Sequence, residues 1–161
     1  MNPYESKKWI DRGWGFAIAA LVFCIPLLVF AFSLSLVNVS ELADCLDMGP
    51  EYAKILPLNK ADSIIASVFL GDAAPYPTKK LFSIIVNIAK YRLIGGFLVI
   101  SCISATFFLD NYQSKGKKAD WIVGMVSSLL ALQPIPAILF VTAGICRNKG
   151  FRKFDSPKSI G

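Results

Sequence analysis

The sequence predicts an all-α integral membrane protein: a bundle of three transmembrane helices, the third kinked or re-entrant at Gln133-Pro136, plus one interfacial amphipathic helix. Three observations carry this reading. The 161 residues are 55% hydrophobic and 17% charged, which leaves too little polar surface to cover a soluble domain of this size. Apolar runs long enough to cross hydrocarbon recur along the chain,. The Lys and Arg residues, in excess by a net charge of +6, fall mostly just outside those runs, where they meet headgroups and set topology.

After a flank over 1–13, the run "WGFAIAALVFCIPLLVFAFSLSLV" over 14–37 carries no charge. At about 1.5 Å per residue it exceeds a hydrocarbon core of about 30 Å, so it is the first transmembrane helix. It is too long for a cleavable signal peptide, and Cys24-Ile25-Pro26 leads into more apolar sequence in place of a cleavage site,. Pro26 frees the carbonyl of Val22 and predicts a local kink. Gly13, Ala17, Ala20 and Cys24 recur at helical spacing and share one face, where small residues let another helix approach. A partner helix from the same chain is the favoured reading, and one from another protein is the alternative.

Residues 38–78 form a polar loop, with Gly49-Pro50, Pro57, Pro75 and Pro77 breaking any long helix,. Within it "ADSIIASVFLGD" is too short to span and reads as a loop helix or interfacial segment. Glu41, Asp44, Asp47 and Glu51 match no calcium-loop spacing, so a solvated face is the favoured reading, with exposed recognition of a partner as the functional role they could carry. Residues 79–92 put Leu81, Ile84, Ile85 and Ile88 on one face between basic ends, as a helix lying on the membrane surface does. "LIGGFLVISCISATFFL" over 93–109 is the second transmembrane helix. An unbroken helix from Leu81 to Leu109 would carry Lys90 and Arg92 into hydrocarbon, at about 2.5–3.5 kcal/mol each near the centre.

The polar connection 110–120 predicts antiparallel neighbours. In the third apolar run, 121–146, Pro134 and Pro136 deprive the carbonyls of Leu130 and Leu132 of helical partners beside the amide of Gln133. A full break makes the segment dip in and return, whereas a kink lets it span; the kinked span is favoured, with Gln133 hydrogen-bonding between helices to order the bundle. The basic tail over 147–161 is expected to be solvated. Lys7, Lys8 and Arg12 before the first run, against an acidic stretch after it, place the N-terminus in the cytoplasm by the positive-inside rule.

The chain has no histidine, the commonest general base and metal ligand. Its four cysteines form no CxxC pair; Cys45 lies in the polar loop and the others in or beside apolar runs. No buried carboxylate cluster suits a metal, so no catalytic residue, cofactor or metal is expected, and no basic helix is left over for nucleic acid. The three apolar runs and the basic balance resemble small polytopic inner-membrane immunity and superinfection-exclusion proteins. The resemblance implies a non-enzymatic, multi-pass protein of the bacterial inner membrane. Its partners would be the lipid bilayer and another membrane protein or an incoming phage or toxin component. An accessory subunit of a secretion or transport complex is the alternative, followed by a holin-like channel that self-associates through the Gly13 to Cys24 face.

Overall fold

The computed structural model describes residues 3–110 and 119–155. They form α1 (Pro3–Met48), α2 (Pro50–Ile55), α3 (Lys60–Leu70), α4 (Tyr76–Asp110), α5 (Asp120–Leu130) and α6 (Pro134–Asp155), with no strand among the described residues. Helices α1 and α4 are long and apolar enough to cross a membrane, and only 22% and 33% of their apolar windows are buried. A soluble core helix buries most of such a window. These two turn it outward, exposing Val22, Val29 and Phe30 on α1 and Leu93, Ile103 and Phe107 on α4.

The described chain divides into two compact units, Met1–Val29 with Ile94–Gly161, and Phe30–Leu93. In the first, Ala20, Cys24, Leu98, Ala105, Ala131 and Phe140 form one core cluster. Ala17, Phe108 and Ala143 form another, with Ile10 and Trp121 packed against it. In the second unit, Cys45, Ala53 and Ile84 make the core, covered by Leu42, Leu81 and Ile88.

Several element boundaries differ from the sequence reading, each for a local reason. Helix α1 contains Pro26 without ending there and continues past Val37 through "SELADCLDM" to Met48. These residues include good helix formers, and the Asn38 amide is absorbed by donating to the Leu34 carbonyl at 2.7 Å,. The helix stops at Gly49, whose φ of 81° is left-handed, and Pro50 opens α2, where its missing N–H costs nothing,. The expected polar loop over 38–78 is therefore mostly helical. The amphipathic helix over 79–92 and the second transmembrane helix over 93–109 are one continuous helix, α4. Lys90 and Arg92, the charges that argued for a break, are both exposed on it.

The third apolar run is a helical hairpin and not a kinked span. Gly124 faces the Phe140 ring and Gly144 faces the Trp121 indole, a pairing that requires α5 and α6 to run antiparallel. The reversal is a complete Schellman motif. The Leu132 N–H donates to the Leu129 carbonyl and the Gln133 N–H to the Ser128 carbonyl, both at 2.9 Å, with Leu132 left-handed at φ 58°,. Pro134 and Pro136 then sit in the first turn of α6, where a missing backbone N–H breaks no helical bond,. The tail expectation also changes, because α6 continues to Asp155 and Arg147 is buried. Most of the 110–120 connection, including Lys115, Lys117 and Lys118, and the tail from Ser156 onward lie outside the described residues.

Candidate interaction surfaces

In the Phe30–Leu93 unit the four carboxylates assigned to recognition lie on helices and do not act alike. Glu41 turns inward to an ion pair with Lys80 at 2.9 Å, their side chains 27% and 10% exposed. The same ammonium donates to the Pro57 carbonyl at 3.0 Å. This contact ties α1 and the α2–α3 connection to α4. Asp44 is half-buried, whereas Asp47 and Glu51 are exposed on either side of the Gly49 turn. Glu51 pairs with Lys54 at 2.6 Å, a surface contact of little energetic weight. Cys45 is buried beside them. Burial raises its thiol pKa above 9.0, with Glu41 adding to the rise and Lys80 opposing it,.

A surface that the sequence reading did not assign lies on α3. Ile64, Ile65, Val68 and Phe69 are exposed, while Ala66 packs inward. Their spacing of one and four residues was visible in "ADSIIASVFLGD", but nothing in the pattern said that this side would be left uncovered. The helix carrying them is firmly fastened. The Asn59 side chain caps it by accepting from the Asp62 N–H at 2.8 Å,. The Asn87 amide donates to Asp62 Oδ2 at 3.3 Å, and the Lys79 ammonium donates to Ser67 Oγ and to the Asp72 carbonyl, each at 3.0 Å. The Phe69 and Phe82 rings meet at 5.8 Å, and the Tyr76 hydroxyl donates to the Leu56 carbonyl at 2.7 Å.

In the other unit Gly13, Ala17, Ala20 and Cys24 are all buried. They are covered by the chain itself: Ala20 and Cys24 by residues of α4, α5 and α6, and Ala17 by Phe108 and Ala143. A channel assembled through that face loses its contact surface. Gln133, half-buried, uses its backbone N–H to close the hairpin turn, and Pro136 is buried behind it. Small hydroxyls that the sequence reading passed over hold the helices together. Ser101 Oγ lies 3.1 Å from Ser128 Oγ and 3.4 Å from the Gly124 carbonyl, both on α5, and its proton is shared with the Phe97 carbonyl one turn back in α4 at 3.1 Å. Ser104 donates to the Asp120 carbonyl. Such bonds fasten apolar helices at about 0.6–2 kcal/mol each.

At one end of this unit the first turns of α1 meet the last turns of α6. Ser6 Oγ donates to the Gly150 carbonyl at 2.7 Å, and Gly150 leaves no room for a side chain against Ile10. The Trp9 ring lies under two cations, with the Arg12 guanidinium 5.3 Å and the Lys149 ammonium 4.0 Å from its centroid. The buried Arg147 guanidinium lies 5.5 Å from the Phe108 and Phe151 ring centroids,. Among the described residues no group of three or more His, Cys, Asp or Glu side chains is placed to hold a metal ion.

No family model, curated protein or solved structure matches the chain.

Proposed function

We propose that this chain is a multi-pass protein of the bacterial inner membrane that acts without catalysis, by docking another membrane component. Its service is immunity or superinfection exclusion against an incoming phage or pore-forming toxin. The observation that carries the reading is the exposed apolar row Ile64, Ile65, Val68 and Phe69 on a fastened helix, in a unit that also exposes Asp47 and Glu51. An apolar patch accompanied by charge has the composition of an interface. Because capping and cross-helix bonds already order α3, little conformational entropy remains to be lost on docking.

Membrane residence is supported by the outward-facing apolar windows of α1 and α4 and by the distribution of charge. Lys7, Lys8 and Arg12 on α1 and Lys149 on α6 gather at one end of their unit through the Ser6–Gly150 and Trp9–Lys149 contacts. The positive-inside rule assigns that end to the cytoplasm. Helix α5, with 11 residues, is about 16 Å long, half of a hydrocarbon crossing. The hairpin therefore enters and returns, and the topology is two spans with a re-entrant helical pair. Reporter fusions at both termini are expected to give cytoplasmic signals.

Expressing the gene alone in a sensitive host and challenging it with phages and pore-forming bacteriocins tests the function. Protection against at least one agent is expected, with loss of protection in Val68→Asp/Phe69→Asp at unchanged membrane abundance. Full sensitivity to the whole panel, together with co-purification in a stable multi-subunit complex from the native host, refutes exclusion and identifies an accessory subunit.

A further inference from the structure

We propose that the basic face at the start of α1, together with Lys149 of α6, binds the phosphate of an anionic phospholipid headgroup; the proposal rests on the membrane reading above. A cavity of about 520 Å³ is lined by Tyr4, Lys7, Lys8, Asp11 and Arg12, positions that share one side of a helix. It brings three cations together with one carboxylate. Lys8 and Arg12 are like charges one turn apart, a spacing that repels. Arg12 and Lys149 crowd the same indole from two helices. The Ser6–Gly150 bond holds those helices in register, so the cations cannot separate by moving the helices apart. An anion among them relieves the repulsion, and the guanidinium offers paired N–H donors that match phosphate oxygens.

The position along α1 selects lipid over free phosphate. The uncharged run begins at Trp14, two residues after Arg12, so the near edge of the cavity, at Arg12, lies about 3 Å along the helix from the start of the segment assigned to hydrocarbon. That is where a headgroup phosphate sits, with its acyl chains continuing along the exposed apolar side of the helix. Trp9, stacked under two of the cations, provides the amphipathic aromatic found at such an interface.

The test uses the full chain in uncharged detergent micelles, titrated separately with dihexanoyl phosphatidylglycerol, dihexanoyl phosphatidylcholine and inorganic phosphate. Tryptophan fluorescence is the readout, and Trp9→Phe assigns the signal. Saturable phosphatidylglycerol binding is expected, with no response to phosphatidylcholine or to phosphate at matching concentration. Arg12→Gln/Lys149→Gln is expected to weaken binding roughly thirtyfold, about fivefold for each cation removed. Arg12→Lys/Lys149→Arg keeps both charges and should bind more tightly than the double Gln variant, but more weakly than the native chain because position 12 loses its paired donors. Lys8→Gln, on an exposed side chain clear of the α1–α6 contact, should weaken it about fivefold on its own and guards against misfolding of the double variant. Equal binding of both lipids, a phosphate response matching phosphatidylglycerol, or unchanged affinity in Lys8→Gln and the double Gln variant overturns the proposal. A protein that inserts into phosphatidylcholine vesicles yet shows no headgroup preference refutes this site alone. One that stays soluble and inserts into no vesicle refutes the membrane reading itself.

Discussion

Gly144→Ala is expected to destabilise the protein, although alanine is the better helix former. The site is the antiparallel contact between α5 and α6, where an added Cβ would fall 2.3 Å from Trp121 Cδ2 and 2.6 Å from Cε2 and Cγ. Ordinary van der Waals contact begins at 3.4 Å, so the indole has to retreat by about 1 Å or the helices have to separate. Trp121 packs against both core clusters of its unit, so its movement disturbs Ala17 and Phe140 as well. Overfilling of this kind costs about 1–3 kcal/mol. The helix-propensity gain of Gly→Ala returns about 1 kcal/mol, leaving a net loss of up to about 2 kcal/mol. Gly15 and Gly96, within α1 and α4, have nothing within 4 Å of the added carbon; there the propensity gain stands alone and alanine should stabilise. Thermal unfolding in detergent micelles, followed by circular dichroism, reads the sign at all three positions. Trp121→Leu combined with Gly144→Ala should recover part of the loss, because the two changes share one contact. A Gly144→Ala midpoint at or above that of Gly15→Ala would show that the hairpin is not packed as described.

Three further outcomes follow from single contacts. Leu132→Gly should stabilise by about 0.5–1 kcal/mol, because it removes the cost of a left-handed leucine, about 1–2 kcal/mol, and loses some of that to unfolded-chain entropy. At 76% exposure the leucine contributes little packing, and a lower melting point would contradict the Schellman geometry. Glu41→Gln should destabilise the Phe30–Leu93 unit by about 1–3 kcal/mol, since Lys80 is left nearly buried without its carboxylate,. Amide hydrogen exchange over that unit measures the loss, and unchanged protection would remove the ion pair from the fold's support. Cys45 should react slowly with maleimide in the folded protein at neutral pH and quickly after denaturation. Burial raises its pKa from 9.0, so between that value and the folded pKa the native state holds a proton that the unfolded thiol has released, and stability falls as pH rises above 9.0. Cys45→Ala should make that decline shallower, and an unchanged slope would assign it to other groups.

The outcome at Cys45 shows where linear reading loses information. Hydropathy placed it in a polar loop because Pro and Gly clusters punctuate the sequence around it. Yet the ten residues from Asn38 to Asp47 contain neither, and a helix already nucleated in α1 propagates through them,. Similarly, Lys90 and Arg92 argued for two helices, but a charge is compatible with a continuous helix wherever that turn remains exposed. The acidic quartet was visible as a group, but the division into Glu41, held by Lys80, and the exposed Asp47 and Glu51 depends on a contact 39 residues away along the chain. The α3 row had a visible pattern, but only the arrangement of the second unit leaves it uncovered.

What the sequence determined by itself was local and compositional. Uncharged runs at helical length predicted an all-helical membrane chain, because backbone bonding and side-chain polarity over one window suffice for that; of the three spans expected, two are long apolar helices in the structure. It also identified Gln133-Pro136 as a place where the ladder must fail, since proline removes a donor in any context. The tertiary structure alone decided what that failure becomes. Whether two prolines kink a helix or reverse it depends on whether the arms can pack against each other. Here Gly124 admits the Phe140 ring and Gly144 admits Trp121, while Ser101 and Ser128 satisfy polar groups between α4 and α5. Those pairings join residues whose separation along the chain conceals them, so the sequence shows that the helix must bend or break there and packing determines that it reverses.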